Sequence, residues 1–301
     1  METLPFSFGQ FSKAIPEVCA KDTAAADGKG WMRDNPTWGH CAVVALWVQN
    51  FYGGDLLRTS LEGTEFAEAR SHYYNRTATT GGIREDLTVG QFRGKLWPGD
   101  LQFSVKARAD VIGGADTRKR YALFGVRLLE KLLPNQTLMS DRFYRRCIHQ
   151  ALHSPCQKKG VGAILVHDED AIIGRERNRP IKGLESLCQP SCIRFSIPSR
   201  TESMLGTCGH AEERLLWSEV SNGSSQNNFA HSEIYVAGVT AQGLPEKRPF
   251  PEFTCLRCAV AMYYAGLRAV NVAFNGERWV RQTTQEALAS AKEYALGKKK
   301  A

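Results

Sequence analysis

Two short motifs in the second half of the chain combine residue types that bind transition metals and move protons. His210 and Glu212 stand at the start of one predicted helix, and Cys255 and Cys258 begin another. A CxxC pair in the first turn of a helix places both sulfurs on one side, where backbone N–H groups and the helix dipole favour thiolates. One histidine and two cysteines leave the fourth tetrahedral position of a zinc ion open, which is typical of a catalytic zinc.

Glu212 supplies the acid–base group that such a zinc needs. Bound Zn2+ lowers the pKa of a coordinated water, and a carboxylate two residues after the histidine can accept its proton. The same carboxylate can then pass protons to a ring nitrogen and to departing ammonia. A structural zinc, or unrelated buried cysteines and histidine, is the alternative, but no structural site requires this glutamate. The motifs therefore predict Zn2+ bound by His210, Cys255 and Cys258, with Glu212 as the catalytic residue.

The elements that must position these residues follow a clear order in residues 141–301. Helical and strand-like segments alternate as α-β-β-α-β-α-β-α, and Asp141 can cap the first helix. This order predicts an α/β/α three-layer domain in which helices cover a mixed central sheet.

Residues of about 141–290 resemble the cytidine deaminase superfamily, whose HxE…CxxC pattern they carry. The segment GVGAILVHDEDAIIGRERNR looks like the first hairpin of that family, and CLRCAVAMYYAGLRAV looks like its second zinc helix. This helix is most similar to the branch of tRNA adenosine, guanine and deoxycytidylate deaminases. The resemblance implies that Asn178 contacts the substrate sugar or base. Deaminases of this type often form dimers or larger oligomers, although the sequence has no interface signature.

Two features depart from the family pattern and could reshape the substrate pocket. Thr254 stands where the family has proline directly before the first cysteine, and the nearest proline is Pro251. The stretch between Asn178 and the zinc histidine is long and contains Cys188 and Cys192. Because no nearby histidine or cysteine completes a set, loop packing is favoured for this pair over a second metal site.

The first half of the chain contains a second candidate constellation. Residues 1–30 are expected to be a loosely packed lead-in, and residues 31–134 an α+β domain. Cys41 begins a predicted helix, while His72 and Asp86 follow in β-leaning stretches that include LTVGQF. This is the chain order of papain-like folds, and the block also resembles small bacterial YunG-like proteins. The set is either an active Cys–His–Asp centre or ordinary buried residues of a domain that docks a substrate or partner.

Composition limits the classes of protein to which the chain can belong. It has 301 residues, 43% hydrophobic and 23% charged, which is typical of a globular protein with two domains. Neither a secretory signal nor a membrane-spanning run is found, so the sequence predicts a cytoplasmic protein without a membrane partner. Most of the net charge of +8 lies in residues 141–301. The excess suits an anionic substrate, although a basic surface with a short lysine tail gives the same charge.

The leading hypothesis is hydrolytic deamination of cytosine or adenine within RNA or single-stranded DNA. Phe250 and Phe253, close to the second zinc helix, are candidates to stack on an unstacked base. A free nucleotide or nucleoside is the alternative substrate. Two other classes stay open: a Cys–His hydrolase or transferase effector with an accessory deaminase fold, and a binding protein that keeps zinc for stability.

Overall fold

The computed structural model divides the chain into two compact units, Met1–Leu133 and Pro134–Ala301. The residues that it describes are 4–77, 81–82, 84–188, 192–195, 208–246 and 254–297. The division falls at Pro134, where the predicted α+β domain ends. No helix in the described ranges has both the length and the apolarity that crossing a membrane requires.

The first unit packs helices against a small antiparallel sheet. Its helices in the described residues are α1 (Phe8–Val18), α2 (Cys41–Tyr52), α3 (Arg108–Ile112) and α4 (Ala115–Leu132). Its strands are β1 (Asp55–Ser60), β2 (Ser71–Arg76), β3 (Arg84–Glu85) and β4 (Phe103–Lys106), in the order β3-β2-β1-β4. The helix α2 is apolar on nearly every side and packs on β2, so this unit has the expected α+β class.

The segment for which loose packing is expected forms part of the core of this unit. Ser7 and Gln10 cap α1 reciprocally: the Ser7 Oγ accepts from the Gln10 backbone N–H at 3.2 Å, and the Gln10 side chain accepts from the Ser7 backbone N–H. Phe11 and Ile15 on one face of α1 are fully buried, and the helix packs against α4. Phe11 and Ile15 are four residues apart, which places them on one face of a helix. Burial of this apolar face orders the segment, although its Gly- and Asp-rich end indicates loose packing.

The β-leaning stretch LTVGQF is helical instead. Residues Val89–Phe92 form a turn of 3-10 helix, because Asp86 directs the chain out of the strand. The Asp86 Oδ1 accepts hydrogen bonds from the backbone N–H and the hydroxyl of Thr88, both at 3.0 Å. Such a side-chain turn competes with strand pairing, and it places Gln91 and Phe92 against the sheet.

The second unit is built on a five-stranded mixed sheet in the order β11-β10-β9-β5-β6. Its strands are β5 (Lys159–His167), β6 (Ala171–Arg177), β7 (Arg179–Pro180), β8 (Cys208–Gly209), β9 (Ser232–Thr240), β10 (Ala269–Phe274) and β11 (Arg278–Thr283). Its helices in the described residues are α5 (Arg142–Leu152), α6 (Ala211–Ser221), α7 (Gln226–Ala230), α8 (Leu256–Ala265) and α9 (Thr284–Gly297). β9 and β10 are parallel, and the other neighbours in the sheet are antiparallel.

Helices cover both faces of this sheet. Val161, Ala163 and Leu165 of β5 belong to a core shared with α6, α8 and α9. Because side chains alternate along a strand, Gly160 and Gly162 face the other side, where they meet α5. The predicted α/β/α three-layer fold is therefore confirmed, and Asp141 caps α5 as expected, with its Oδ1 2.8 Å from the Tyr144 N–H. The edge strand β11 was not predicted, because exposed and half-buried side chains hide its periodicity.

Gly162 gives a test of how closely α5 must approach the sheet. A Cβ at this position would lie 2.1 Å from the Cys147 carbonyl oxygen and 2.7 Å from the Ala151 nitrogen, both backbone atoms of α5. We expect Gly162→Ala to lower the free energy of unfolding by about 1–3 kcal/mol or more, since backbone cannot yield to the added methyl group. Urea denaturation measures the loss. Gly297→Ala, where a Cβ meets nothing within 4 Å, is the control, and an equal effect would contradict this account.

Candidate functional site

Two helices begin at the same edge of the second-unit sheet, and their first residues carry the metal-binding side chains. His210 is the N-cap residue of α6, and Cys255 is the N-cap residue of α8. The Cys255 Sγ accepts a hydrogen bond from the backbone N–H of Cys258, at 3.4 Å, so the thiol also caps its own helix. α6 and α8 pack against each other over the shared core, which brings the two N-termini together.

The three side chains converge on one point. The His210 Nδ1 lies 3.3 Å from the Sγ of Cys255 and 3.3 Å from the Sγ of Cys258, and the three atoms all lie within 4.8 Å of one another. Tetrahedral zinc with bonds of about 2.0–2.1 Å to nitrogen and 2.3 Å to sulfur separates such ligands by about 3.5 Å. Both the donor set and its spacing therefore fit a zinc ion, as the sequence predicts.

The electrostatics of the pair of cysteines favour a thiolate on the more exposed sulfur. The side-chain hydrogen bond with Cys258, and after it the one with His210, lower the pKa of the Cys255 thiol to about 4. The hydrogen bond with Cys255, together with burial, raises the pKa of Cys258. The negative charge thus falls on Cys255, and a divalent cation that binds both sulfurs releases the Cys258 proton.

Glu212 lies in the first turn of α6, beside these ligands. Its side chain is buried, with the residue 5% exposed. The charge of its carboxylate contributes to raising the pKa of both His210 and Cys258, so it acts directly on the metal-binding group. A buried carboxylate at this place can exchange a proton with a molecule held beside the three ligands.

An ion pair that the sequence analysis missed connects the two metal-binding helices. Arg257, within the CxxC motif of α8, donates from its Nε at 2.9 Å and from its Nη2 at 2.7 Å to the Oε1 of Glu213. This two-point contact fixes the first turns of α6 and α8 relative to each other. The opposite charges next to the two motifs were the available signal in the sequence.

Asn178 lies beside the zinc histidine, but its side chain is engaged with the backbone of β5. Its Oδ1 accepts from the Val161 N–H at 2.7 Å, and its Nδ2 donates to the Lys159 carbonyl at 3.0 Å. The antiparallel pairing of β7 with β8 joins Arg179 to Gly209, so the residues just outside this pair, Asn178 and His210, adjoin each other. Contact between Asn178 and a substrate stays a prediction.

The long segment between Asn178 and His210 leaves and returns through that same pair of short strands. Cys188 shares side-chain hydrogen bonds with Cys192 and also with Cys208, the residue that begins β8. Burial, followed by these neighbouring sulfurs, raises the pKa of Cys188 to about 12. The Gln157 side chain fixes the backbone of this segment: it donates to the Cys188 carbonyl and accepts from the Cys192 N–H.

The predicted stacking residues Phe250 and Phe253, and Pro251, lie outside the described residues.

The structure also brings together the three residues singled out in the first unit. The His72 Nε2 lies 2.7 Å from the Asp86 Oδ2, and the Cys41 thiol shares a side-chain hydrogen bond with the same ring. The His72 Nδ1 lies 3.0 Å from the Nε2 of Gln91, a contact without any signal in the sequence. Cys41, at the start of α2, is half-buried.

Removal of one ligand tests the metal centre. We expect His210→Ala to weaken zinc binding by about 100-fold or more, since loss of a group that merely supports a ligand already costs about 10–100-fold. Competition with a chelator, followed by metal analysis, measures the affinity. His231→Ala, on an exposed histidine of the same unit, is the control. Unchanged zinc affinity in His210→Ala would place the metal elsewhere.

Comparison with known protein families gives two matches, one for each unit. The family described as YunG protein matches residues 7–133, and the cytidine and deoxycytidylate deaminase zinc-binding region matches residues 139–274. No curated protein matches the chain. The second match contains His210, Glu212, Cys255 and Cys258, which the resemblance had singled out. Residues 139–274 are therefore similar to the cytidine and deoxycytidylate deaminase zinc-binding region, and residues 7–133 are similar to the YunG family, as the sequence predicts.

Proposed function

We propose that the second unit is a zinc-dependent hydrolytic deaminase of a nucleobase, cytosine or adenine. The observation that carries the proposal is the position of Glu212, a buried carboxylate in the first helical turn after the metal-binding histidine. A zinc site with a purely structural role has no use for this group. The fold and the zinc-binding region of the deaminase family support the general class of zinc deaminase.

The chain's own residues divide the work between holding the metal and moving protons. His210, Cys255 and Cys258 would hold the metal, and a set of three protein ligands would leave room for solvent in the remaining position. When bound, zinc lowers the pKa of a water molecule in that position. Glu212 accepts a proton from the water and returns it to the ring nitrogen, and then transfers the second proton to the amino group, which leaves as ammonia. Arg257 and Glu213 keep the two ligand-bearing turns in register during this exchange.

Positive charge beside Asn178 and His210 supports an anionic substrate. Arg179 and Arg214 lie 3.1 and 3.7 Å from the carboxylate oxygens of Glu176, and Arg177 ends the strand that contains Glu176. Arg214 stands one turn after His210, and the other two arginines flank Asn178. Two guanidinium groups, those of Arg179 and Arg214, share the one carboxylate of Glu176, and this excess of positive charge suits the phosphates of a nucleotide or of a nucleic acid.

We favour RNA or single-stranded DNA over a free nucleotide. The resemblance of α8 to the tRNA-deaminase branch and the basic balance of the unit support a polymer, whose target base would leave its stack to reach the metal. A free nucleotide or nucleoside is the alternative, and it requires no contact beyond one phosphate group.

The proposal also includes a cytoplasmic location and assembly into homo-oligomers. All nine cysteines are free thiols, which suits the reducing cytoplasm. Assembly into homo-oligomers is supported by exposed large side chains on the outer sides of α6 and α8, of which Trp217 and Tyr264 are 66% and 74% exposed.

Substitution of Glu212 tests the proton-transfer role. We expect Glu212→Gln to retain zinc but to lose about 10²–10⁴-fold in kcat, because the amide cannot accept the water proton. The measurement is mass spectrometry of bases, nucleosides, nucleotides, single- and double-stranded DNA and tRNA, in which replacement of NH2 by OH is the product. Glu219→Gln is the control, since this buried carboxylate is at the far end of the same helix. Equal activity of Glu212→Gln and the unaltered protein would exclude the proposed role.

The salt dependence of binding distinguishes a polymeric substrate from a free nucleotide. For single-stranded RNA held through about three phosphates, we expect log K to fall with log salt with a slope of about −2, whereas a mononucleotide gives a much smaller slope. Arg179→Ala should reduce the slope for the polymer by about 1. Arg142→Ala, at the start of α5, is the control. Weak, salt-insensitive RNA binding together with deamination of mononucleotides would favour the alternative.

A further inference from the structure

Cys41 stands where a helix and a strand of the first unit face each other. It is the first residue of α2, the end at which the N–H groups of a helix lack intrahelical partners. Thiols at a helix N-terminus are stabilised as thiolates. The facing strand, β2, carries His72, whose ring shares a side-chain hydrogen bond with the Cys41 thiol.

Asp86 fixes the orientation of the His72 ring. Its Oδ2 lies 2.7 Å from Nε2, which leaves Nδ1 as the ring nitrogen directed away from the carboxylate. The other oxygen of Asp86 accepts two hydrogen bonds from Thr88, so the carboxylate is itself held in place. Side chains of His72 and Asp86 are only 1% and 8% exposed.

The charges of Cys41 and His72 reinforce each other, while the charge of Asp86 favours the imidazolium and has a smaller, opposite effect on the thiol. Burial acts to lower the pKa of His72, but the hydrogen bonds with Asp86 and Cys41 raise it to about 9. Burial acts to raise the pKa of Cys41, but the hydrogen bond with His72 and the charge of that ring lower it overall. Cys41 and His72 are thus stabilised as a thiolate and an imidazolium, the form in which a cysteine is a nucleophile.

The arrangement is a chain of contacts rather than a metal cluster. Asp86 contacts His72, and His72 contacts Cys41, so the three groups follow one another. Within the described ranges, three metal-binding atoms within 4.8 Å of one another occur at the His210 centre and not at this one.

A cavity of about 210 Å³ is separated from the ring of His72 by two residues that contact that ring, and its rim also carries Arg93 and Lys95. Gln91, which contacts the His72 Nδ1, lines it, and so does Phe92, whose ring lies edge-on to the imidazole at 4.9 Å. Phe66 and Trp38 continue the apolar wall. A space of this size accepts one bulky apolar side chain next to a reacting carbonyl group.

We propose that Cys41 and His72, positioned by Asp86, form a second catalytic centre that cleaves or transfers acyl groups, with an amide substrate whose acyl residue carries a bulky apolar side chain. The Cys41 Sγ attacks the carbonyl carbon and forms a C–S bond. The C–N bond then breaks, and the proton of the His72 imidazolium goes to the leaving amine. Water attacks the thioester and gives a proton to His72, which releases the acid and restores the thiolate. An amine in place of water gives transfer.

Alkylation of the full, zinc-loaded chain tests the nucleophile. Iodoacetamide at pH 6, with peptide mapping by mass spectrometry, should modify Cys41 at least about 10-fold faster than an unperturbed cysteine, of which little is thiolate at that pH. Cys19 is the internal control, because burial raises its pKa in the same unit. Alkylation of Cys41 no faster than that of a model thiol would overturn the proposal.

The role of Asp86 needs a readout that mere stability does not move. Asp86 acts on Cys41 in two ways: it stabilises the His72 imidazolium, which lowers the pKa of the thiol, and its own charge raises that pKa by a smaller effect. The effect through His72 is the larger one, so losing the carboxylate favours the neutral thiol. Asp86→Asn should therefore shift the alkylation profile of Cys41 to higher pH and slow the reaction at pH 6 by about 10-fold, while circular dichroism stays unchanged. An unshifted profile in a folded variant would remove Asp86 from the centre.

The substrate class is tested with two peptidyl acyloxymethyl ketones that differ only in the residue next to the reactive carbonyl. The phenylalanine reagent should label Cys41 at least about 10-fold faster than the aspartate reagent, and Phe66→Asp should reduce this preference. Labelling by neither reagent would contradict the acyl-transfer activity. Equal labelling by both would contradict the assignment of the cavity. Each result is independent of deamination, because the readout is modification of Cys41.

Discussion

The parallel pairing of β9 with β10 is the constraint on which the metal centre depends. Parallel neighbours need a crossover connection, and here α8 supplies it. A crossover helix lies on a face of the sheet and begins near the carboxyl end of the strand before it. α6 packs on the same face, over the same core. The N-cap residues of both helices therefore meet at one edge, where three ligands from two distant segments come within bonding distance of one ion.

Both halves of this chain stabilise a thiolate at the start of a helix, with different counter-charges. In the second unit, a divalent cation takes up both sulfurs, and their lone pairs become ligand bonds. In the first unit, the imidazolium of His72 faces Cys41 and is itself held by Asp86. A thiolate paired with a proton donor stays available to an electrophile, whereas a thiolate bound to zinc is largely quenched as a nucleophile. The partner of the sulfur, rather than the helix that carries it, decides which chemistry follows.

Sequence reasoning succeeded where a local pattern and a long-range contact agreed. The HxE and CxxC motifs lie in the first turns of two helices, so the three metal-binding side chains could be named before the structure. The strands of the second-unit sheet other than β11 could also be predicted, because they have continuous apolar runs or form a hairpin. Cys41, His72 and Asp86 were identified by type and order alone. Their contact depends on the pairing of β1 with β2 and on the packing of α2 against β2, which no local pattern reports.

The misses have specific physical causes. The 3-10 turn at Val89–Phe92 arises because a side chain, Asp86, competes for the backbone N–H of Thr88, and apolar alternation does not register such competition. The contact of Gln91 with His72 depends on that turn. The ion pair of Arg257 with Glu213 joins residues far apart in sequence and becomes visible only when both helices start at one edge. In each case the sequence does not show which partner a polar side chain contacts. The polar side chains concerned, those of Asp86, Gln91 and Arg257, lie beside the two centres. Apolar periodicity thus predicts the framework, while the polar contacts that tune its chemistry require the folded arrangement.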